Sequence, residues 1–220
     1  MTVHDLTHAL RPGIPRYPGD PEVRVEPWPD EPPWHVSAFG LGSHSGTHLD
    51  APLHRVPGAP GIGDLPPDRF VGLGVVLDAT GRGENERLPA SIADALPAAF
   101  RPGWFVILRT GWDRFWGDDA YFRHPALSPA LAERLRAAGA GIVGIDALNV
   151  DSTVDGEGVV HDILLGNGVL LAENLTRLDR LPAGTPMQFA LAPLGWGSNV
   201  DGSPIRALAW RPDAFRESAI

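Results

Sequence analysis

The chain has 220 residues, 43% of them apolar and 20% charged, which is enough to bury one sizeable core. Its 18 basic residues against 27 acidic ones give a formal charge of −9, and such a balance argues against nucleic acid as a partner. Every basic residue is Arg and there is no Cys, so lysine Schiff bases, thiol nucleophiles, disulfides and Cys-ligated metals are excluded.

No window reaches the run of about 18 apolar residues that a membrane span requires. Met1 to Asp5 carries no basic stretch followed by an apolar core, so a cytoplasmic protein without membrane contact is expected. The first predicted strand covers residues 34–41, and a second covers 74–78. A short helix is expected from Ser91, limited by Pro97. Strand 104–109 leads into a segment crowded with Trp112, Phe115, Trp116, Tyr121 and Phe122, which reads as a packed corner or an oligomer contact. The clearest helix has Ser128 as N-cap and Pro129 at its first position, places Leu131 and Leu135 on one face, and stops at Gly139. Strands 142–148, 187–192 and 205–210 complete the pattern, and Trp196 and Trp210 are expected in the core. Strands and helices mix without strict alternation, so the expectation is one α/β or α+β domain over residues 1–220 with a mixed sheet.

The chemistry concentrates in His44-Ser45-Gly46-Thr47-His48-Leu49-Asp50-Ala51-Pro52-Leu53-His54, which holds three of the eight histidines and a carboxylate. His44, His48, Asp50 and His54 all fall on even positions, so an extended backbone would turn them to one face. A helix would swing Asp50 and His54 away from His44, and Gly46 and Pro52 disfavour it. A straight strand would hold the outer histidines roughly 33 Å apart, whereas ligands must lie within about 2.2 Å of a shared ion. The chain must therefore bend, and Gly46 and Pro52 are the residues that permit it. Imidazoles with a carboxylate suit Zn²⁺, or Mn²⁺ where oxygen dominates the remaining ligands. His161 and Glu173 bracket an apolar run that would bury Glu173, and a buried carboxylate needs a compensating cation. His4 and His8 flank Asp5 and read as a structural pair or as solvent-facing. Competing motifs fail: Ser45 stands where a helical zinc-protease motif needs Glu, His44 stands where a nucleophile elbow needs Ser, and Gly40 to Gly46 misses dinucleotide-loop spacing by one residue.

The His44 to His54 motif resembles the signature of the metal-dependent cyclase family that includes the bacterial kynurenine formamidases. Looser similarities run along most of the chain, through Tyr17-Pro18-Gly19-Asp20-Pro21, Arg109-Thr110-Gly111-Trp112, Gly144-Ile145-Asp146 and residues 161–175. The resemblance implies a swivelling β/β/α domain, a homo-oligomer (dimer or tetramer), and two zinc ions per subunit, with Mn²⁺ in some relatives. It implies that His44 and His48 bind one zinc, that Asp50 and Glu173 bridge or complete the pair, that His161 binds the second, and that His54 gives and takes the proton. Tyr17 stands where those enzymes often carry a Trp against the substrate's aromatic ring, and Asn149 stands in place of a Ser. The implied activity is hydrolysis of a carbon–nitrogen amide bond by metal-bound hydroxide, since a metal lowers the pKa of bound water from 15.7 to about 7. An arylformamide such as N-formylkynurenine is the first substrate, and a cyclic amide, a lactone or a polyketide-type cyclisation is the alternative. A non-catalytic metal-binding protein would keep the ligands and not the chemistry.

Overall fold

The computed structural model describes residues 2–29 and 33–212. Its strands are β1 (Val3–Asp5), β2 (Arg24–Trp28), β3 (Val36–Gly40), β4 (His48–Asp50), β5 (Val71–Asp78), β6 (Arg87–Leu88), β7 (Phe105–Arg109), β8 (Ala126–Leu127), β9 (Ile142–Ile145), β10 (Leu170–Glu173), β11 (Met187–Pro193) and β12 (Gly202–Trp210). Two α-helices, α1 (Pro129–Ala137) and α2 (Val159–Leu165), pack beside them.

Eight strands share one mixed sheet in the order β1-β12-β11-β5-β7-β9-β10-β4, with β5, β7, β9 and β10 parallel to one another. The start of β12 also pairs antiparallel with β4, Gly202 opposite Asp50 and Pro204 opposite His48. That second pairing closes the sheet on itself into a barrel-like core. Period-two alternation then divides the apolar side chains. Val76, Phe105, Ile107, Ile142, Leu170 and Ala172 join Leu49 in one cluster inside the ring, while Val75, Leu77, Val106, Leu108, Val143 and Leu171 pack outward under α1 and α2. Each fully buried aliphatic or aromatic side chain contributes about 1.5–3 kcal/mol.

Helix α1 begins as its sequence dictates, with Ser128 Oγ accepting from the Leu131 N–H at 3.2 Å and Pro129 at the first helical position. The six expected strands are present with shifted ends. Strand 142–148 stops at Ile145, because Asp146 turns to accept from the backbone N–H groups of Thr110 and Gly111 at 2.7 and 2.8 Å. The expected helix at Ser91 is a 3₁₀ turn, Ala90–Ala95. Trp196 is 40% exposed, not core, its indole N–H held at 2.8 Å on Ser203 Oγ at the edge of the barrel. His8 stacks on Trp116 with ring centroids 3.8 Å apart, and the aromatic corner buries Trp112 and Tyr121. Strands β2 and β3 form a separate hairpin that leaves Val25, Trp28, Val36 and Phe39 exposed, with Trp34 beside them. No helix among the described residues is long and apolar enough to cross a membrane.

Candidate metal centre

Leu49 points into the barrel with no exposed surface, so its neighbours on β4, His48 and Asp50, must face outward. There they meet β10 in register, His48 opposite Glu173 and Asp50 opposite Leu171. The chain reaches β4 through a turn at Gly46, whose φ of +62° is left-handed, and leaves it through a 3₁₀ turn, Pro52–His54. Both bends carry a histidine back over the strand. His161 arrives from α2, whose first turn is fixed by Asp151 accepting from the Val160 and His161 N–H groups at 2.9 and 3.0 Å.

The side chains converge tightly. His44 Nδ1 lies 2.7 Å from Asp50 Oδ1, and His48 Nε2 lies 3.2 Å from the same oxygen and 3.5 Å from Glu173 Oε2. His161 Nε2 lies 3.5 Å from Asp50 Oδ2 and 3.7 Å from Glu173 Oε1. The far nitrogens are anchored: His48 Nδ1 donates to the Gly46 carbonyl at 2.8 Å and His161 Nδ1 to Asp151 Oδ2 at 2.8 Å. Each anchor turns Nε2 toward the carboxylates, where it could serve as a ligand once a cation takes the place of its proton. His44, His54, His161, Asp50 and Glu173 all line one cavity of about 320 Å³, which Tyr17 and Asn149 also reach. Asp151 and Asp201 belong to this cluster and are missing from the sequence reading. Nothing in their spacing flagged them; the only sequence cue for Asp201 was an Asp-Gly turn ahead of a strand.

The electrostatics ask for positive charge. Burial opposes charging His44, yet the Asp50 and Asp201 carboxylates push it up to about 10. His161 is likewise raised to about 10, against its burial, chiefly by its hydrogen bond to Asp151 and by the nearby Asp50 and Glu173 carboxylates. Asp50 is held well below the usual carboxylate range, despite complete burial, by the surrounding imidazoles. Burial, with Asp50 beside it, raises Glu173 to about 7. Burial lowers His54 below 6.5.

These residues fit a divalent cation. Asp50 Oδ2 is buried and makes no hydrogen bond, which is costly for a carboxylate oxygen that no cation satisfies. Two ligand atoms on one tetrahedral ion at about 2.1 Å stand about 3.4 Å apart, and the separations between His48 or His161 Nε2 and the carboxylates run from 3.2 to 3.7 Å. Three groups of donors, His44 with His48 and Asp50, Asp50 with His54 and His161, and His44 with His54 and Asp201, each lie within 4.8 Å.

Residues 4–152 match the family model described as "Putative cyclase". The chain belongs to the cyclase family. Within and around that family it is 35% identical over 214 residues to a kynurenine formamidase of Paracidovorax citrulli, covering 94% of this chain and 96% of that protein. It is 31% identical over 211 residues to a kynurenine formamidase of Delftia acidovorans, covering 93% and 95%. Among solved structures it superposes on isatin hydrolase A from Labrenzia aggregata with a TM-score of 0.85 at 26% identity, covering 94% and 93% of the two chains. A second isatin hydrolase, bound to the product analogue thioisatinate, gives 0.84 at 26%, covering 94% and 91%.

Proposed function

We propose that this member of the cyclase family is a metal-dependent hydrolase of carbon–nitrogen amide bonds outside peptides, with an arylformamide such as N-formylkynurenine as its substrate. The observation that carries the reading is the buried, unbonded Asp50 oxygen amid imidazoles at the floor of a substrate-sized cavity. The formamidase relatives along the whole chain supply the substrate class. His44, His48, Asp50, His161 and Glu173 would hold the metal, two ions per subunit, with zinc the first choice and manganese the second. When bound, such a cation acidifies water and polarises a carbonyl.

The chain's own residues do the rest. His54 Nδ1 donates to Asp201 Oδ2 at 3.1 Å, which leaves Nε2 free to take a proton. Burial lowers the pKa of this ring, which favours the neutral form that can act as a base. It accepts the proton of the attacking water and returns it to the departing nitrogen as the formyl carbon–nitrogen bond breaks, releasing formate and the arylamine. Tyr17, 37% exposed at the cavity, lies where an aryl ring would stack. A cyclic amide of the isatin type is the second reading, favoured by the likeness to two isatin hydrolase structures. Turnover of N-formylkynurenine, isatin and small lactones by zinc- and manganese-loaded protein, beside metal analysis, tests this. Metal uptake with turnover of none of them would refute it.

The protein works as a dimer in this reading, paired through the β2–β3 hairpin. An isolated two-stranded hairpin is marginal in water, and this one exposes Trp28, Trp34 and Phe39 at 59–72%. Six such aromatics from two copies, with the valines, bury roughly 1,000 Å², the lower bound of a specific interface.

A further inference from the structure

Asp201 is the last residue before β12, and its backbone is tied to the end of β4. The Ala51 N–H donates to the Asp201 carbonyl at 2.9 Å, while the Ala51 carbonyl accepts from the His54 N–H at 2.9 Å. A single residue at the end of β4 therefore fixes both Asp201 and His54. From this position Asp201 Oδ2 meets two imidazoles, His44 Nε2 at 2.9 Å and His54 Nδ1 at 3.1 Å. The Ser43 side chain adds a third hydrogen bond to the carboxyl group. The next residue makes the approach possible: a Cβ at Gly202 would lie 2.8 Å from His44 Cε1, so only glycine lets the ring reach Asp201.

An ionised carboxylate can only accept, so each ring must present an N–H to it. His44 faces a carboxylate at both nitrogens, Asp201 at Nε2 and Asp50 at Nδ1, so without a cation both carry a proton; a cation beside Asp50 would displace the Nδ1 proton and leave the Nε2–H donated to Asp201. For His54 the same rule places the proton on Nδ1 and leaves Nε2 bare.

We infer that Asp201 is a positioning residue that sets the tautomers of two imidazoles at once, making His44 a ligand through Nδ1 and His54 a proton acceptor through Nε2. The inference rests on the proposed role of His54, and it adds what fixes that role. Carboxylates that orient a ligating or reacting histidine typically cost 10–100-fold in affinity or activity when removed.

The test uses ¹⁵N-histidine-labelled, zinc-loaded protein, with long-range ¹H–¹⁵N spectra reading the tautomer of each ring. The wild type should show His54 protonated on Nδ1. Asp201→Asn, which keeps an acceptor oxygen and the shape, should keep that tautomer. Asp201→Ala should shift His54 toward the Nε2–H form and lower kcat about 10–100-fold at an unchanged KM, with zinc content at saturating zinc unchanged. An unaltered His54 tautomer in Asp201→Ala overturns the inference. Loss of a zinc ion from Asp201→Asn and Asp201→Ala alike also overturns it, by making Asp201 a ligand. The spectra read the tautomer even if N-formylkynurenine is not a substrate, so failure of the substrate reading is told apart from failure of this one.

Discussion

Gly202→Ala probes the construction of the site from the one place where a single methyl group meets it. The added Cβ would stand 2.8 Å from His44 Cε1, 2.8 Å from the Leu49 carbonyl oxygen and 3.2 Å from His44 Nδ1. Leu49 lies in the β4–β12 ladder, opposite Ser203, so its carbonyl is backbone and yields little. The His44 ring has to give way, and reaching an ordinary contact moves it by roughly half an ångström, since buried groups tolerate overlap poorly. That shift exceeds the roughly 0.2 Å tolerance of a metal–ligand bond. It also breaks the 2.7 Å contact with Asp50 and the 2.9 Å contact with Asp201. Zinc affinity should fall at least tenfold, read by competition with a chromogenic chelator, and overpacking should cost about 1–3 kcal/mol of stability in urea unfolding. A double-mutant cycle with His44→Ala sharpens the reasoning: without the ring, the added methyl meets only the Leu49 carbonyl and its stability cost should shrink. Zinc affinity within twofold of wild type in a folded Gly202→Ala protein, or equal stability costs with and without His44, would show that this ring is not where the methyl group lands.

Other perturbations separate the roles further. His48→Ala and Asp50→Ala should lose metal, whereas His54→Ala should keep it and lose turnover; metal analysis beside single-variant kinetics reads the difference, and equal metal loss in all three would make His54 a ligand. His124, 1% exposed and bonded to the Pro125 carbonyl and Thr153 Oγ1, is lowered from 6.5 to about 4, chiefly by burial. The unfolded chain therefore binds the extra proton between those values, so the His124 contribution is complete above pH 6.5 and is lost as pH falls toward 4, about 3 kcal/mol in all. Urea unfolding of wild type and His124→Gln from pH 4 to 7 should show the wild type losing stability more steeply on acidification, and parallel curves would refute this. Trp34→Glu with Phe39→Glu should turn a dimer into a monomer by light scattering without altering zinc binding, and an unchanged molar mass would place the interface elsewhere.

Much of the scaffold was legible because it rests on local signals. Ser128, Pro129 and Gly139 mark α1 by capping and backbone freedom, and the unbroken apolar runs of β5 and β7 follow from burial on both faces of a closed sheet. The even spacing of the motif made β4 legible as extended backbone that bends at its ends, but its pairing with both β10 and β12 was not legible, being a long-range event. Helix α2 was missed for a similar reason: it opens with Gly158 in a left-handed conformation and draws its first-turn hydrogen bonds from Asp151, a residue seven positions earlier. Asp151 and Asp201 carry no motif of their own. Their placement depends on the barrel closing, which a spacing pattern cannot report.

The placement of charge explains why the cluster stands on strands and not on loops alone. Asp50, Asp151, Glu173 and Asp201 bring four carboxylates against four imidazoles, and Asp50 and Glu173 are almost wholly buried. Without a cation, His44 and His161 must stay protonated up to about pH 10 to hold that arrangement together. A divalent ion replaces those protons, so binding releases them and strengthens as pH rises. Bound only by the folded chain, it stabilises that fold by about 2.7 kcal/mol at a hundred times its Kd. The fold therefore spends rigidity on His48, Asp50 and Glu173, which sit on paired strands, and leaves His54 at the rim, with 32% of its side chain exposed and one carboxylate to orient it. Ligands need fixed positions, whereas a proton carrier needs one fixed nitrogen and one open to the cavity.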